Sequence, residues 1–196
     1  MAEVVLFHHA GGLTDGVRAF ARMLQDDGHT VHTPDLFEGR TFPVTREGVA
    51  WADAVGEDVF AGRAAEAVAS LPPHLVYGGM SMGAARAAEQ VLARPGALGA
   101  FFLYGTVAPS WWEATWPAGV PSQAHVSAGD EFREPDAEAE YAQVPGAELF
   151  VYPGEGHLFA EPGHPDFDPT VAATATGRVL TFLRLVGAGA KPVPRR

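Results

Sequence analysis

Short runs of consecutive apolar residues alternate along this chain with longer stretches in which apolar positions recur every three or four residues. Val4-Val5-Leu6-Phe7 is apolar at four positions in a row, as a strand buried on both faces should be. Behind it, Val17, Phe20, Ala21 and Leu24 share one helical face. Thr14 or Asp15 is placed to cap that helix, and Gly28 stands where a C′ glycine belongs. The pattern then predicts a strand near 30–33, a loop over 34–40, and one long helical stretch over 48–70 that stops before Pro72-Pro73. A strand over 74–78, a helix over 82–94 ended by Pro95, and a strand over 100–104 follow. The rest reads as a strand near 125–128, a short acidic helix over 135–143, a strand over 148–152 and a last helix over 170–185.

Repeated strand–helix units imply an α/β protein with a mainly parallel sheet and helices on both faces. Residues 1–186 form a single domain in this reading, with no lid domain, and the Gly-, Pro- and Arg-rich residues 187–196 form a flexible tail. With 47% hydrophobic and 19% charged residues, the chain is not disordered by composition. Its 13 Lys+Arg against 24 Asp+Glu leave a net charge of −11, which argues against nucleic acid or an anionic membrane as partner. The absence of cysteine excludes disulfides and thiolate chemistry. No run of about 18 uninterrupted apolar residues stands out, and the first residues lack the basic flank of a signal peptide. A soluble cytoplasmic protein, monomer or homodimer, is the expectation.

The most informative segment is Gly79-Met80-Ser81-Met82-Gly83, which matches G-x-S-x-G. There a sharp strand-to-helix turn lifts a serine above the sheet, and small flanking residues relieve the crowding. Ala84, Ala85, Ala87 and Ala88 let the following helix pack closely on the strands. A serine hydroxyl needs a base and an orienting carboxylate before it is nucleophilic, in the chain order Ser, Asp or Glu, His. Asp130 and His157 each follow a predicted strand and keep that order. Glu131 is the alternative carboxylate and His164 the alternative imidazole. His125 reads as a sheet residue and Asp35 as a turn cap. For the developing oxyanion, donors are expected from the backbone N–H of Met82 and from that of His9 or Ala10, in the glycine-rich loop after the first strand. The pair His8-His9 has no third ligand at diagnostic spacing, so neither a metal nor a cofactor is expected.

These segments together resemble the dienelactone hydrolase family of α/β-hydrolases from about Phe7 to Phe182. The resemblance rests on Pro34-Asp35-Leu36-Phe37, the Gly79–Gly83 turn, Tyr104-Gly105, Gly129-Asp130, Gly156-His157-Leu158-Phe159 and Phe167-Asp168. It implies a three-layer α/β-hydrolase fold with Ser81 as nucleophile, Asp130 as orienter, His157 as base, and His9 and Met82 as backbone donors. The chain departs from the founding enzymes in three places. Ser81 stands where they carry cysteine, and His8 where they carry a glutamate that contacts the nucleophile. Glu161-Pro162 stands where an arginine holds their substrate's carboxylate, while Arg40 matches a second substrate-binding arginine. The carboxylate-bearing lactone of those enzymes is therefore a poor fit.

Trp111 and Trp112, in a loop that also carries Trp116, are expected either to wall an apolar pocket or to cover a protein contact. His8, Ala10, Phe37, Arg40 and Phe159 are the other expected pocket residues. The leading expectation is a serine hydrolase of small esters or lactones working through an acyl-enzyme. A thioesterase or acyl-transfer enzyme on the same residues, and a non-catalytic ligand-binding protein, are the alternatives.

Overall fold

The alternation of inward-facing side chains builds a sheet with two greasy faces. In the computed structural model, which describes residues 1–189, β1 (Glu3–Phe7), β2 (Thr30–His32), β3 (Val76–Met80), β4 (Gly99–Leu103), β5 (Ser122–Ser127) and β6 (Ala147–Tyr152) form one sheet. Its order is β2-β1-β3-β4-β5-β6, and every neighbouring pair is parallel. Val4, Leu6, Val76, Phe101 and Leu103 point to one side, where α1 (Asp15–Asp26) and α6 (Pro169–Gly189) cover them. Val5, Phe7, Tyr77, Ala100 and Phe102 point to the other, under α3 (Glu57–Val68), α4 (Met82–Ala93) and α5 (Pro135–Tyr141). This is a three-layer α/β-hydrolase fold.

Local chemistry explains most element ends. Thr14 caps α1, its Oγ1 accepting from the Val17 N–H at 3.1 Å. The long helix expected over 48–70 is instead two helices, α2 (Thr45–Val55) and α3, because Gly56 sits at φ 103° and turns the chain between them. A 3-10 turn at Pro109–Trp112, absent from the sequence reading, carries the first two loop tryptophans.

Helix α6 runs four residues past its expected end, through Gly189, so residues 187–189 are helical rather than tail; residues 190–196 lie outside the described part. By length and composition α6 is apolar enough to cross a membrane, although Thr, Gly and Arg interrupt its apolar runs. Here Val171, Ala175, Val179 and Leu183 instead bury one face of it in the core.

Candidate active site

At the carboxyl edge of the sheet, β3 ends in the turn carrying Ser81. Ser81 is held at φ 50°, ψ −117°, a conformation a side chain rarely adopts. Its N–H donates to the Leu103 carbonyl at 2.8 Å, and its own carbonyl accepts from Ala84 N–H at 2.7 Å. The glycines on either side are sterically required. A Cβ on Gly79 would lie 2.2 Å from the Gly83 oxygen, and one on Gly83 would lie 2.4 Å from the Phe7 oxygen. The second contact brings the start of α4 against the end of β1, so the loop after β1 sits beside the serine. As the first residue of α4, Met82 has an N–H without an intrahelical acceptor.

His157 reaches this turn from the loop after β6, three strands away or roughly 14 Å at the usual strand spacing. Its loop is pinned to β5. Ser127 Oγ donates to the Gly156 carbonyl at 2.8 Å, and Gly129 N–H to the Gly154 carbonyl at 2.8 Å. On the far side, Leu158 N–H donates to Asp166 Oδ2 at 3.1 Å. The imidazole bridges two partners, with Nε2 2.8 Å from Ser81 Oγ and Nδ1 2.7 Å from Asp130 Oδ2. Asp130 also accepts from Phe132 N–H through Oδ1 at 2.8 Å, and its Oδ2 at Nδ1 orients the ring with Nε2 toward the serine hydroxyl. Both Asp130 and His157 are buried, and the rings of Phe132 and Tyr104 flank the imidazole. Tyr104 itself stands at φ 68°, just past β4.

The alternatives lie elsewhere. Glu131 faces outward and pairs with Arg46, both more than half exposed. His164 accepts from the Asp166 N–H within its own loop. His125 is buried in β5, stacked on Phe150 and Tyr152, with Nδ1 2.8 Å from the Tyr152 hydroxyl. Asp35 caps its own turn, accepting from the N–H groups of Phe37 and Gly39.

A cavity of about 700 Å³ opens on Ser81 and His157, and it corrects the expected walls. Ala10, Trp111 and Trp112 line it, as do Met82, Tyr104 and Phe132. His8, Phe37, Arg40 and Phe159 do not. His8 is fully buried and spends both nitrogens on the backbone: Nδ1 donates to the His9 carbonyl at 2.8 Å, and Nε2 accepts from Leu36 N–H at 3.0 Å. Phe37 packs in the core against His8, Trp51 and Phe60. Phe159 is buried edge-to-face on Tyr104, and Arg40 lies outside, 5.7 Å over the Trp51 ring. Trp116 is also a core residue, its Nε1–H donating to the Val120 carbonyl at 2.8 Å.

Glu161, at the place of the family's substrate-binding arginine, is buried and turns away from the cavity. Its Oε2 lies 2.5 Å from His9 Nε2, and its Oε1 accepts from Thr14 Oγ1 at 2.5 Å. Burial alone would raise its carboxyl; the contacts with His9 and Thr14 outweigh that and hold it below the usual range. Gly11 N–H donates to His9 Nδ1 at 2.9 Å, so the His9 ring is a rivet between the loop after β1 and the loop after β6. Among the described residues, no group of three or more His, Asp or Glu could hold a metal ion.

Sequence reasoning missed the cavity wall contributed by α2 and α3, namely Val49, Ala52, Asp53, Glu57, Asp58 and Ala61. It also missed Ala85 and Glu89 on α4, whose positions four and eight after Ser81 are the signal that would have found them.

Fold and site together define an α/β-hydrolase with a serine at the strand-to-helix turn. The dienelactone hydrolase family model matches residues 1–187, so the chain belongs to that family and is a hydrolase. Among solved structures it is similar to a dienelactone hydrolase-like promiscuous phosphotriesterase from metagenomic libraries, with TM-score 0.72, 18% identity, and 95% of this chain and 87% of that chain covered. It is also similar to the dienelactone hydrolase of Anabaena variabilis, with TM-score 0.63, 21% identity and coverage of 93% and 88%. Metagenome-derived lipolytic enzymes match with TM-score 0.61, 16% identity and coverage of 93% of each chain. No match was found among curated proteins.

Proposed function

We propose that this hydrolase cleaves small carboxylic esters or lactones through an oxygen-ester acyl-enzyme on Ser81. The observation that carries the reading is the continuous hydrogen-bond chain Ser81 Oγ–His157 Nε2 (2.8 Å) and His157 Nδ1–Asp130 Oδ2 (2.7 Å) at the mouth of the cavity. As Ser81 Oγ attacks the substrate carbonyl carbon, its proton passes to His157 Nε2, and Asp130 stabilises the resulting imidazolium. The oxyanion receives hydrogen bonds from the Met82 N–H and from the loop N–H of His9 or Ala10. Collapse of the tetrahedral species returns the proton to the leaving alkoxide and leaves Ser81 acylated. Water then attacks, again giving its proton to His157, and the acid departs as Ser81 regains its hydrogen. A cavity of about 700 Å³ is within the usual range for a small-molecule substrate.

The test is hydrolysis of p-nitrophenyl acetate and butyrate by the wild type and by Ser81→Ala. Burst release of p-nitrophenol by the wild type and a fall of about 10⁴-fold or more in the variant are expected. Equal rates in the two proteins overturn the proposal. Thioester hydrolysis and acyl transfer use the same first half-reaction, and a panel of acyl thioesters with water or alcohol acceptors separates them.

A further inference from the structure

The cavity that opens on Ser81 continues along one face of α4. Met82, Ala85 and Glu89 line it at helical spacing, so the wall runs about 12 Å from Ser81 to Glu89 at 1.5 Å per residue. The small side chain of Ala85 keeps the wall open midway. At the far end Glu89 Oε1 accepts from Arg86 Nη2 at 2.8 Å and from Trp112 Nε1 at 3.2 Å, while its Oε2 is buried without a partner. The indoles of Trp111 and Trp112 meet edge to face beside it, their centroids 5.6 Å apart.

Asp53, Glu57, Asp58 and Glu134 line the same cavity, Glu57 beside Glu89 on the shared Arg86. The lining therefore holds five carboxylates and neither lysine nor arginine. Arg86 offsets part of the charge of Glu57 and Glu89, while Asp53, Asp58 and Glu134 have no cation within ion-pair distance among the described residues. Arg86 is bonded to both Glu57 and Glu89, and Arg46 to Glu131. A cleft with such one-sided charge concentrates cations and repels anions. Indole faces attract a quaternary ammonium through the ring quadrupole.

Resting on the serine-hydrolase reading above, we infer that the substrate bears an alkylammonium group roughly 10 Å from its reacting carbonyl, received by Glu89 with Trp111 and Trp112. The same wall rejects an acyl chain that ends in a carboxylate. This reverses the charge preference implied by an arginine in the family's lactone site, and it follows from carboxylates on three helices rather than from one substitution.

The experiment compares three p-nitrophenyl esters with six-carbon acyl chains ending in trimethylammonium, its neutral tert-butyl isostere, or a carboxylate. In the wild type, kcat/KM is expected to be about tenfold higher for the cationic ester than for the isostere, and lower again for the carboxylate. In Glu89→Gln the cationic-to-neutral ratio falls about tenfold. Equal values for the three esters, or a ratio unchanged in Glu89→Gln, overturn the inference. If no ester is turned over, the hydrolase reading fails separately. Tryptophan fluorescence titrated with hexyltrimethylammonium then tests the cavity alone. Saturable binding weakened in Glu89→Gln supports it, and no binding, or equal binding by both proteins, overturns it.

Discussion

Two buried imidazole–carboxylate pairs lie on the same rim of this molecule in different surroundings. His157 meets Asp130 at 2.7 Å and His9 meets Glu161 at 2.5 Å, and all four side chains are nearly inaccessible. The difference lies in the second ring nitrogen. In His157 it faces a hydroxyl that can surrender a proton, at the wall of a cavity. In His9 it accepts from the backbone N–H of Gly11, which cannot. A carboxylate beside a histidine thus fixes a tautomer and an orientation in both places. The third partner decides whether that fixed ring is placed to take a proton, as the proposed mechanism requires of His157, or only fastens loops.

Substitutions at the two carboxylates should separate these roles. Asp130→Asn is expected to keep the fold by circular dichroism and to lower kcat for p-nitrophenyl butyrate by about 10⁴-fold, since the amide favours the wrong imidazole tautomer. A variant retaining more than a tenth of wild-type kcat would assign Asp130 no orienting role. Glu161→Ala leaves the His9 ring without its neighbouring carboxylate and the Thr14 hydroxyl without its acceptor. It should lower unfolding free energy by about 3 kcal/mol in a urea titration, as when one partner of a buried pair is removed. Its kcat at a temperature where it remains folded should fall far less than that of Asp130→Asn. The reverse ranking would make Glu161 part of the chemistry.

Two further imidazoles sharpen the contrast, because neither has a carboxylate within hydrogen-bond distance. Burial pushes His8 down to about 4 despite its bond to the His9 carbonyl, and burial together with the charge of Arg178 pushes His125 down to about 3. In the unfolded chain both take up protons near pH 6.5, whereas the folded chain resists until pH 4 and pH 3. The unfolded state therefore binds more protons across that window. Stability is full above pH 6.5 and falls with pH by about 1.4 kcal/mol per unit for each ring. Denaturant titrations from pH 7 to 4.5 measure the slope, and His125→Phe should remove about half of this contribution. An identical slope in that variant would show that His125 is not held neutral.

The smallest effect belongs to an exposed pair. Glu131, next to Asp130 in sequence, is bonded to Arg46 with both side chains more than half in solvent. Glu131→Gln should change stability by less than about 1 kcal/mol and esterase activity by less than about twofold. A loss comparable to that of Asp130→Asn would transfer the orienting role to Glu131.

The turn at Ser81 is legible in the sequence because its determinants are local. Gly79 and Gly83 are demanded by contacts within a few residues of the serine and by the strand beside it, and the alanines of α4 follow from the same crowding. The strands are legible for a related reason: Val4 and Leu6 against Val5 and Phe7 are sorted to opposite faces by the pleat alone. The one long helix expected over 48–70 failed locally too, at Gly56, since a positive φ there is permitted by the residue and dictated only by how α2 and α3 must pack.

Other features depended on distance. Phe37, His8 and Phe159 share the residue types of a pocket wall, yet neighbours brought by other strands enclose them in the core. Asp53, Asp58 and Glu89 have the look of solvated helix faces, and the cavity gathers them only because α2, α3 and α4 converge over Ser81. The sequence by itself determined the strands, the strained serine turn and the order of its partners, all of which follow from short-range sterics and alternation. The tertiary structure alone decided which histidine rivets and which faces the hydroxyl, and which carboxylates charge the cavity. Side chains 152 positions apart, as His9 and Glu161 are, have no meaning for one another until the sheet order brings their loops together.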